Sequence, residues 1–453
     1  MRLSLTVLTA LAAFSASTVR AQSLADRYRA AADRIIAAAT ADSAAYDRLG
    51  RLVDAFGNRF SGSESLEQAI DWVLAEMKKD GLQNAHTEPV MVPRWVRGSE
   101  SAELILPRRM VLPMLGLGGS VATPKKGITG EVLVVNGFDD LEARAADAKG
   151  RIVLFDVPFT TYDSTVGYRY GGASAAARVG ALAVLVRSVT PFSIRSPHTG
   201  SMHYDTTAAR IPAAALTVED TRMLHRMQDR GERVVVTLRM QAHMLPDAPS
   251  RNVMAELVGS EHPDEVVVMG GHIDSWDVGQ GAMDDGGGLV VAWEAVRLLQ
   301  RLGLHPRRTI RVVGWTNEEN GSRGGRAYRD ARITELDKQI LAIESDAGVF
   351  RPHGFDFAGT DSAYAIVRQI GSLLAPIRAD SLIRGSDEAD VGPLKQKGVP
   401  VMGLRVDGTR YFWYHHTQGD TLDKLDPADM ARCVAAMAVM AYVAADLPER
   451  LPR

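Results

Sequence analysis

The clearest structural signal in the sequence is VVVMGGHIDSWDVGQGAMDDGGG, at residues 266–288. It opens with an unalternating apolar run, which is typical of a strand buried on both faces of a sheet. One histidine and four aspartates then follow in a segment otherwise dominated by small or apolar residues. Charged groups are costly beside a buried strand unless something compensates them. The stretch therefore predicts a sheet with a functional site at its edge.

The sequence after residue 251 repeats this rhythm of apolar runs and amphipathic helices. Strands are predicted at residues 265–269, 309–315, 340–343 and 399–404, and helices at 287–302, 324–331, 362–374 and 427–445. This alternation predicts an α/β fold with a mainly parallel or mixed sheet flanked by helices on both faces. Ligands of such sheets bind at the carboxyl ends of the strands.

The first half of the chain has three different textures. Residues 1–21 resemble an export signal, with Arg2, an apolar run at 3–14 and a small-x-small site ending at Ala21. Helices are predicted at 24–40, 43–56 and 63–79, and short β-rich runs among Gly and Pro fill residues 108–246. We expect an exported protein, periplasmic or extracellular and not stably inserted in a membrane after signal removal. Its catalytic domain comprises residues 22–107 and 247–453, interrupted by an inserted domain at 108–246.

Composition excludes several classes of function. The 52 basic and 55 acidic residues are interspersed and give a net charge of -3, so no single-signed field exists to bind nucleic acid. Cys433 is the only cysteine. An intrachain disulfide is therefore impossible, and a cysteine nucleophile is not expected on this apolar helical stretch.

Candidate site residues follow the predicted strands of the second half. They are His272 and Asp274 after the first strand, Glu318 and Glu319 after the second, Asp346 after the third, His416 after the loop of the last, and Asp284 in the Gly-rich segment. So many carboxylates at one sheet edge repel each other unless some are protonated or a cation lies among them. Imidazole and carboxylate ligands suit Zn²⁺, with Mn²⁺ or Co²⁺ as substitutes.

The number of ligands predicts two metal ions that share one carboxylate. Such ions lie about 3.5–4 Å apart and share a water whose pKa falls to about 7. Neighbouring residues of an extended chain point in opposed directions, so one of Glu318 and Glu319 binds metal while the other acts as general base. The spacing leaves either assignment open. Asp274 is expected to accept the second N–H of His272.

The motifs resemble those of a known family. GGHIDSWDVGQGAMDDGGG, WTNEENG, ESDAG and HHTQGDT, together with FGNRFSGSESLEQAIDWVLAEMKKDGL near the start, are similar to the co-catalytic di-zinc aminopeptidases and glutamate carboxypeptidases. Within that family they resemble most the plasma glutamate carboxypeptidase, or carboxypeptidase Q, type. The resemblance implies one zinc held by His272, Asp284 and Asp346, a second held by Asp284, Glu319 and His416, and Glu318 as general base. It also implies that residues 108–246 form a protease-associated domain.

The implied activity is that of an exopeptidase acting on dipeptides or on the N-termini of short peptides, through a metal-bridged hydroxide. Asp387 is a candidate contact for the substrate amine and Tyr414 for the oxyanion, whereas His415 is expected to point away from the site. Alternatives are a carboxypeptidase, for which Arg384, Arg405 and Arg410 are available, an N-acyl amino acid hydrolase, and a non-catalytic protein with a structural metal. A homodimer is expected by analogy.

Overall fold

The structure is a computed structural model that describes residues 23–453; the predicted signal peptide at residues 1–21 lies outside them. The helices are α1 Leu24–Thr40, α2 Ala44–Phe56, α3 Glu64–Lys79, α4 Phe138–Ala143, α5 Ala145–Ala148, α6 Tyr162–Arg178, α7 Val218–Asp229, α8 Gly287–Arg301, α9 Arg323–Asp330, α10 Asp361–Gly371, α11 Gly392–Lys395, α12 Tyr411–Tyr414 and α13 Pro427–Asp446. The strands are β1 Gln83–Val96, β2 Glu100–Leu106, β3 Met110–Leu112, β4 Met114–Gly116, β5 Ile128–Val135, β6 Ile152–Phe155, β7 Ala183–Arg187, β8 Ala213–Leu216, β9 Val235–Met240, β10 His243–Leu257, β11 His262–His272, β12 Arg308–Trp315, β13 Gln339–Glu344, β14 Pro352–Ala358, β15 Ser381–Arg384 and β16 Val401–Val406.

Eight strands form the first sheet, in the order β1-β10-β12-β11-β13-β16-β14-β15. The four strands β12, β11, β13 and β16 in its middle are parallel, while β10 pairs with β12 and β14 with β16 in antiparallel fashion. The predicted α/β class, with a mixed sheet flanked by helices, is confirmed. The parallel centre places four carboxyl ends at one edge, which is the arrangement that the site requires.

Helices cover both faces of this sheet. On one face α13 packs between α8 and α1, and its long apolar surface lies in the largest hydrophobic core. This helix is long and apolar enough to cross a membrane, but 83% of its apolar window is buried inside the protein. Tyr328 of α9 and Leu394 of α11 belong to the core on the other face. Cys433 is buried in α13, where its thiol donates to the carbonyl of Phe350 at 3.1 Å.

A second eight-stranded sheet, in the order β3-β2-β9-β5-β6-β7-β8-β4, is built between Glu100 and Met240. Its strands β5, β6, β7 and β8 are parallel, and α6 and α7 pack against them, so this region is more helical than the predicted β-rich texture. The predicted boundary at residue 108 falls after β2, which pairs with β9 in this sheet. The identity of this region as a protease-associated domain stays a prediction.

The two sheets are joined by β1 and β10, which run antiparallel along the edge of the first sheet. The chain enters the second sheet from the end of β1 and leaves it at the start of β10. The second sheet is therefore formed by a segment inserted between two paired strands. The pairing of β1 with β10 connects this segment to the sheet that carries the candidate site.

Candidate metal centre

The predicted site residues converge at the carboxyl ends of the central strands. His272 is the last residue of β11, Glu319 follows β12 and Asp346 follows β13. The strand register brings these ends level, because His272 pairs with Trp315 and Gly270 with Glu344. His416 arrives from the segment after α12.

Asp284 lies at the centre of the cluster and its two carboxylate oxygens face different partners. Its Oδ1 lies 3.2 Å from Nε2 of His272, which is also 3.3 Å from Oδ1 of Asp346. Its Oδ2 lies 3.3 Å from Nε2 of His416, which is also 3.1 Å from Oε2 of Glu319. The five side chains thus form two groups that share Asp284.

The backbone around Asp284 is fixed by buried carboxylates. Asp420 accepts hydrogen bonds from the main-chain N–H groups of Ala282, Met283 and Asp284. Asp285 accepts from the main-chain N–H of His272 and of Gly288, at 3.0 Å each. A Cβ at Gly288 would lie 1.8 Å from the carbonyl oxygen of Ser345, so only glycine permits this approach. The Gly-rich sequence is therefore required to bring α8 against the end of β13.

The electrostatics of the cluster fit a bound cation. Burial, together with the surrounding acids, raises the pKa values of Glu318 and Glu319 well above their usual range. Burial acts in the same direction on Asp284, but the adjacent imidazoles of His272 and His416 outweigh it and hold the Asp284 pKa well below the usual value.

Two carboxylate oxygens of the cluster receive no hydrogen bond from the described residues. Oδ2 of Asp284 and Oε1 of Glu319 are buried without a hydrogen-bond partner among residues 23–453. Imidazole nitrogens and unpaired carboxylate oxygens are the donor atoms that Zn²⁺ takes in proteins. The residues present therefore fit a zinc site.

A cavity of about 420 Å³ opens over the cluster. Its floor contains Asp284, Glu318, Glu319 and Asp346, and its walls include the aromatic side chains Tyr411, Phe412 and Tyr162 and the guanidinium of Arg169. This volume falls within the range of about 300–1,000 Å³ that is typical of small-ligand pockets. The cavity can therefore hold a small polar ligand against the cluster.

The segment between β7 and β8 of the second sheet contacts the loop that carries His416 and the backbone of Glu319. Thr199 donates its main-chain N–H to the carbonyl of His416 at 3.0 Å, and Ser201 donates its hydroxyl to the carbonyl of Glu319 at 2.7 Å. The ring Nδ1 of His198 lies 2.7 Å from the carbonyl of His415. Burial holds the pKa of His198 at about 3, so this ring is neutral. These contacts could not be predicted from the sequence, because they join residues more than 100 positions apart.

Known proteins are similar in sequence to this chain over most of its length. A model of peptidase family M28 matches residues 252–441. Carboxypeptidase Q of Bos taurus is 48% identical over 413 residues, which cover 91% of this chain and 88% of that protein. Carboxypeptidase Q of Homo sapiens is 46% identical with the same coverage. The chain belongs to peptidase family M28. This membership makes it a metallopeptidase.

Solved structures agree with the M28 assignment. A peptidase M28 precursor from Shewanella amazonensis SB2B superposes with a TM-score of 0.91 at 35% identity, covering 95% of this chain and 99% of that one. A zinc aminopeptidase from Bacillus subtilis has a TM-score of 0.67 at 20% identity, covering 88% and 93%. The second likeness shows a shared fold.

Two positions in this M28 peptidase differ from the expectation. Nδ1 of His272 lies 2.9 Å from the main-chain carbonyl of Asp274 and 3.8 Å from its carboxylate, so the predicted carboxylate contact is wrong. The Asp274 carboxylate instead accepts from the main-chain N–H of Glu318 and from the hydroxyl of Ser61. His415 does not point away: its Nε2 lies 3.6 Å from Asp284, and its ring stacks on His416.

The predicted substrate contacts are placed differently as well. The Asp387 carboxylate pairs with Lys395 at 2.9 Å and its side chain is 98% exposed, although the residue lies at the cavity wall. Tyr414 is not part of that wall, whereas Tyr411, one turn of α12 earlier, is. Four successive aromatic residues carry no sequence pattern that shows which of them meets the cavity.

The three arginines that were available for a carboxypeptidase do not converge at the cavity. Arg384 pairs with Asp361 at 2.7 Å, Arg405 lies near the hydroxyl of Ser381, and Arg410 lines a separate cavity. None of these three arginines lines the cavity over the metal cluster. Arg169, which the sequence analysis did not single out, is the arginine of the cavity wall.

Arg59 connects the residue after α2 to the loop between β11 and α8, which carries Asp284. We therefore expect it to stabilise the protein. Its guanidinium is fully buried, and it donates to the carbonyls of Gly57, Ile273, Gln280 and Gly281 at 2.7–3.0 Å. Burial lowers its pKa to about 10, so it stays charged at neutral pH. We expect Arg59→Met to lower the free energy of unfolding by about 4 kcal/mol, since each orphaned carbonyl costs roughly 1 kcal/mol.

Urea denaturation followed by circular dichroism measures this change. Arg51→Met is the matched control, because Arg51 is exposed on α2. The control should change stability by less than about 0.5 kcal/mol. Equal midpoints for the two variants would show that Arg59 does not support the loop.

Proposed function

We propose that the chain is an exported, zinc-dependent exopeptidase that hydrolyses dipeptides or removes N-terminal residues from short peptides. The supporting observation is the meeting of two histidines and three carboxylates around Asp284 beneath a small-ligand cavity. The match to carboxypeptidase Q over nine-tenths of the chain supports a peptide substrate.

His272, Asp284 and Asp346 would hold one zinc, and Asp284, Glu319 and His416 the other. The two oxygens of Asp284 support this division, because each faces one of the two groups. His415 is a further candidate for the second group, since it lies within reach of the same oxygen. When bound, the two zinc ions would polarise the scissile carbonyl and lower the pKa of the attacking water.

Glu318 is proposed as the general base, which the sequence left open between Glu318 and Glu319. Glu319 is buried and in contact with His416, as a ligand requires, whereas Glu318, which lines the same cavity, is more exposed and makes no ion-pair contact with a histidine among residues 23–453. The main-chain N–H of Glu318 donates to the Asp274 carboxylate, and this hydrogen bond fixes the backbone from which the Glu318 side chain extends. Glu318 would take a proton from the attacking water and give it to the leaving amine.

Tyr411 is proposed to stabilise the developing oxyanion in place of Tyr414. Burial and the neighbouring acids raise the pKa of Tyr411 well above its usual value, so its hydroxyl stays protonated and able to donate. Tyr162 and Phe412 stack on each other beside it and narrow the cavity. These aromatic rings would limit the water that reaches the scissile bond.

A dipeptide assay with and without metal tests the proposed function. We expect the zinc-loaded protein to hydrolyse free dipeptides, a chelator to abolish turnover, and added Zn²⁺ to restore it while circular dichroism stays unchanged. Undiminished turnover after verified metal removal would contradict a metal-dependent mechanism. Unfolding on chelation without prior turnover would favour a structural metal and a non-catalytic role.

The alternative activities differ in whether the substrate must have a free or a blocked N-terminus. An aminopeptidase or dipeptidase requires a free N-terminus, whereas an N-acyl amino acid hydrolase prefers a blocked one. Comparing a dipeptide with its N-acetyl form decides between them. Export is proposed from residues 1–21 and is tested by N-terminal sequencing of the mature protein, for which we expect a start at Gln22.

A further inference from the structure

Four arginines line a cavity of about 480 Å³ that is separate from the one over the metal cluster. They are Arg351, Arg378, Arg410 and Arg432. The only acids of its lining within residues 23–453 are Asp407 and Asp429. This arginine cavity therefore has an excess of two positive charges, although the chain as a whole has a net charge of -3.

Both acids of the arginine cavity already have partners. The Asp407 carboxylate lies 3.4 Å from Arg351 and accepts hydrogen bonds from the main-chain N–H and the hydroxyl of Thr409. Asp429 pairs with Arg432, one turn later on α13, at 2.5 Å. The two acids thus compensate only two of the four guanidinium groups.

Arg378 and Arg410 remain without a counter-charge. Their side chains form no ion pair or hydrogen bond within residues 23–453, and both residues are exposed, so a ligand from solvent can reach them. The Cζ of Arg410 lies 5.4 Å from the ring centroid of Phe350, a cation–π contact that orients the guanidinium without neutralising it. Guanidinium groups bind oxyanions through paired N–H donors. Two of them in one concave site suit an anion with more than one negative charge.

A single short segment, residues 407–411, separates the arginine cavity from the cavity over the metal cluster. Asp407, Thr409 and Arg410 line the arginine cavity. Gly408 and Tyr411 line the cavity over the metal cluster. A ligand bound to Arg410 therefore contacts the same segment that shapes the space above the metal ligands.

We propose that Arg378 and Arg410 bind a free divalent tetrahedral oxyanion, such as phosphate or sulfate, and that this anion favours substrate binding through residues 407–411. The like charges of the two arginines repel each other across the cavity, and an anion between them replaces repulsion with attraction. The anion thereby restricts residues 408–410, which are exposed. A segment that is already ordered costs less entropy when substrate binds, so KM falls. This coupling to substrate rests on the proposed function, whereas the anion site does not.

Isothermal titration calorimetry of sulfate into zinc-loaded protein, at an ionic strength held constant with sodium chloride, tests the site. We expect wild type to bind sulfate, and Arg378→Gln and Arg410→Gln each to lower the affinity about 5- to 10-fold. Arg384→Gln is the matched control, because Arg384 is exposed, pairs with Asp361 and lines neither cavity. It should bind sulfate as wild type does. Sulfate affinity that is equal in wild type and both cavity variants would place the anion elsewhere and overturn the assignment.

Dipeptide hydrolysis with and without saturating sulfate, at the same ionic strength, tests the coupling. We expect sulfate to lower KM about 2- to 5-fold in wild type and to leave KM unchanged in Arg378→Gln. Arginine-dependent sulfate binding with no change in the wild-type KM would retain the anion site and overturn the coupling. If zinc-loaded wild type hydrolyses no peptide, the proposed function and the coupling both fail, and calorimetry alone decides on the site.

A vesicle experiment distinguishes a free anion from the phosphate of a lipid headgroup. Zinc-loaded protein is sedimented with vesicles of phosphatidylcholine containing phosphatidylglycerol, and we expect it to stay in the supernatant. Sedimentation that requires Arg378, without binding of free sulfate, would assign the arginine cavity to a headgroup and overturn the free-anion proposal. Binding of neither sulfate nor vesicles would show that the arginine cavity is not an anion site.

Discussion

Glu318→Gln is expected to lower peptide turnover by about 10²–10⁴-fold while the bound zinc remains. The amide has nearly the shape of the carboxylate but cannot accept the proton of the attacking water. Because Glu318 is not assigned to either metal group, its replacement removes no ligand. Steady-state kinetics on a dipeptide, together with metal analysis of the same sample, measure both quantities.

A matched control uses a glutamate far from the cavity. Glu449 is exposed at the C-terminal end of the chain, and Glu449→Gln should retain wild-type turnover. Full activity in Glu318→Gln would rule out the general-base role. A loss of zinc in that variant would instead assign Glu318 to the ligands and return the base role to Glu319.

Asp284→Ala is expected to reduce the bound zinc from two ions per chain to one or none. Asp284 is the only one of the five predicted ligands that contacts both histidines of the cluster, so its loss removes a ligand from each metal group. Its side chain makes no hydrogen bond to the backbone of residues 23–453, and Asp420 holds the loop through the N–H groups of residues 282–284. The variant should therefore fold while its metal affinity falls.

Equilibrium dialysis against zinc, followed by elemental analysis, measures this loss. Asp264→Ala is the control, because the Asp264 side chain is 78% exposed on β11, away from the metal end of that strand. Two tightly held zinc ions in Asp284→Ala would show that the carboxylate does not bridge them. One tightly held ion would support the assignment.

The parts of the fold that the sequence predicted are those with strong local signals. The strand at 309–315 and the helices at 24–40 and 427–445 match observed elements to within one residue, since their apolar residues are continuous or follow one helical face. The pairing of β1 with β10 was not predicted, because its outer residues are mixed in polarity along an exposed edge. The helix α6 was also missed, since its run of Gly and Ala has no clear apolar face.

The candidate site could also be predicted only in part from the sequence. The meeting of His272, Glu319 and Asp346 could be predicted because parallel strands end at a common edge, and the structure brings these side chains together. The placement of His415 and Tyr411 depends on how the chain turns through α12, and that of Arg169 on the packing of the second sheet. These are long-range contacts with no local sequence pattern, so only the three-dimensional structure shows them.

An anomalous difference map, recorded above and below the zinc absorption edge from crystals grown without chelator, tests whether Asp284 lies between two zinc ions. We expect two zinc peaks on either side of the Asp284 carboxylate, one beside His272 and Asp346 and the other beside Glu319 and His416. A map with no peak at Asp284, from crystals of protein that hydrolyses dipeptides, would contradict this expectation.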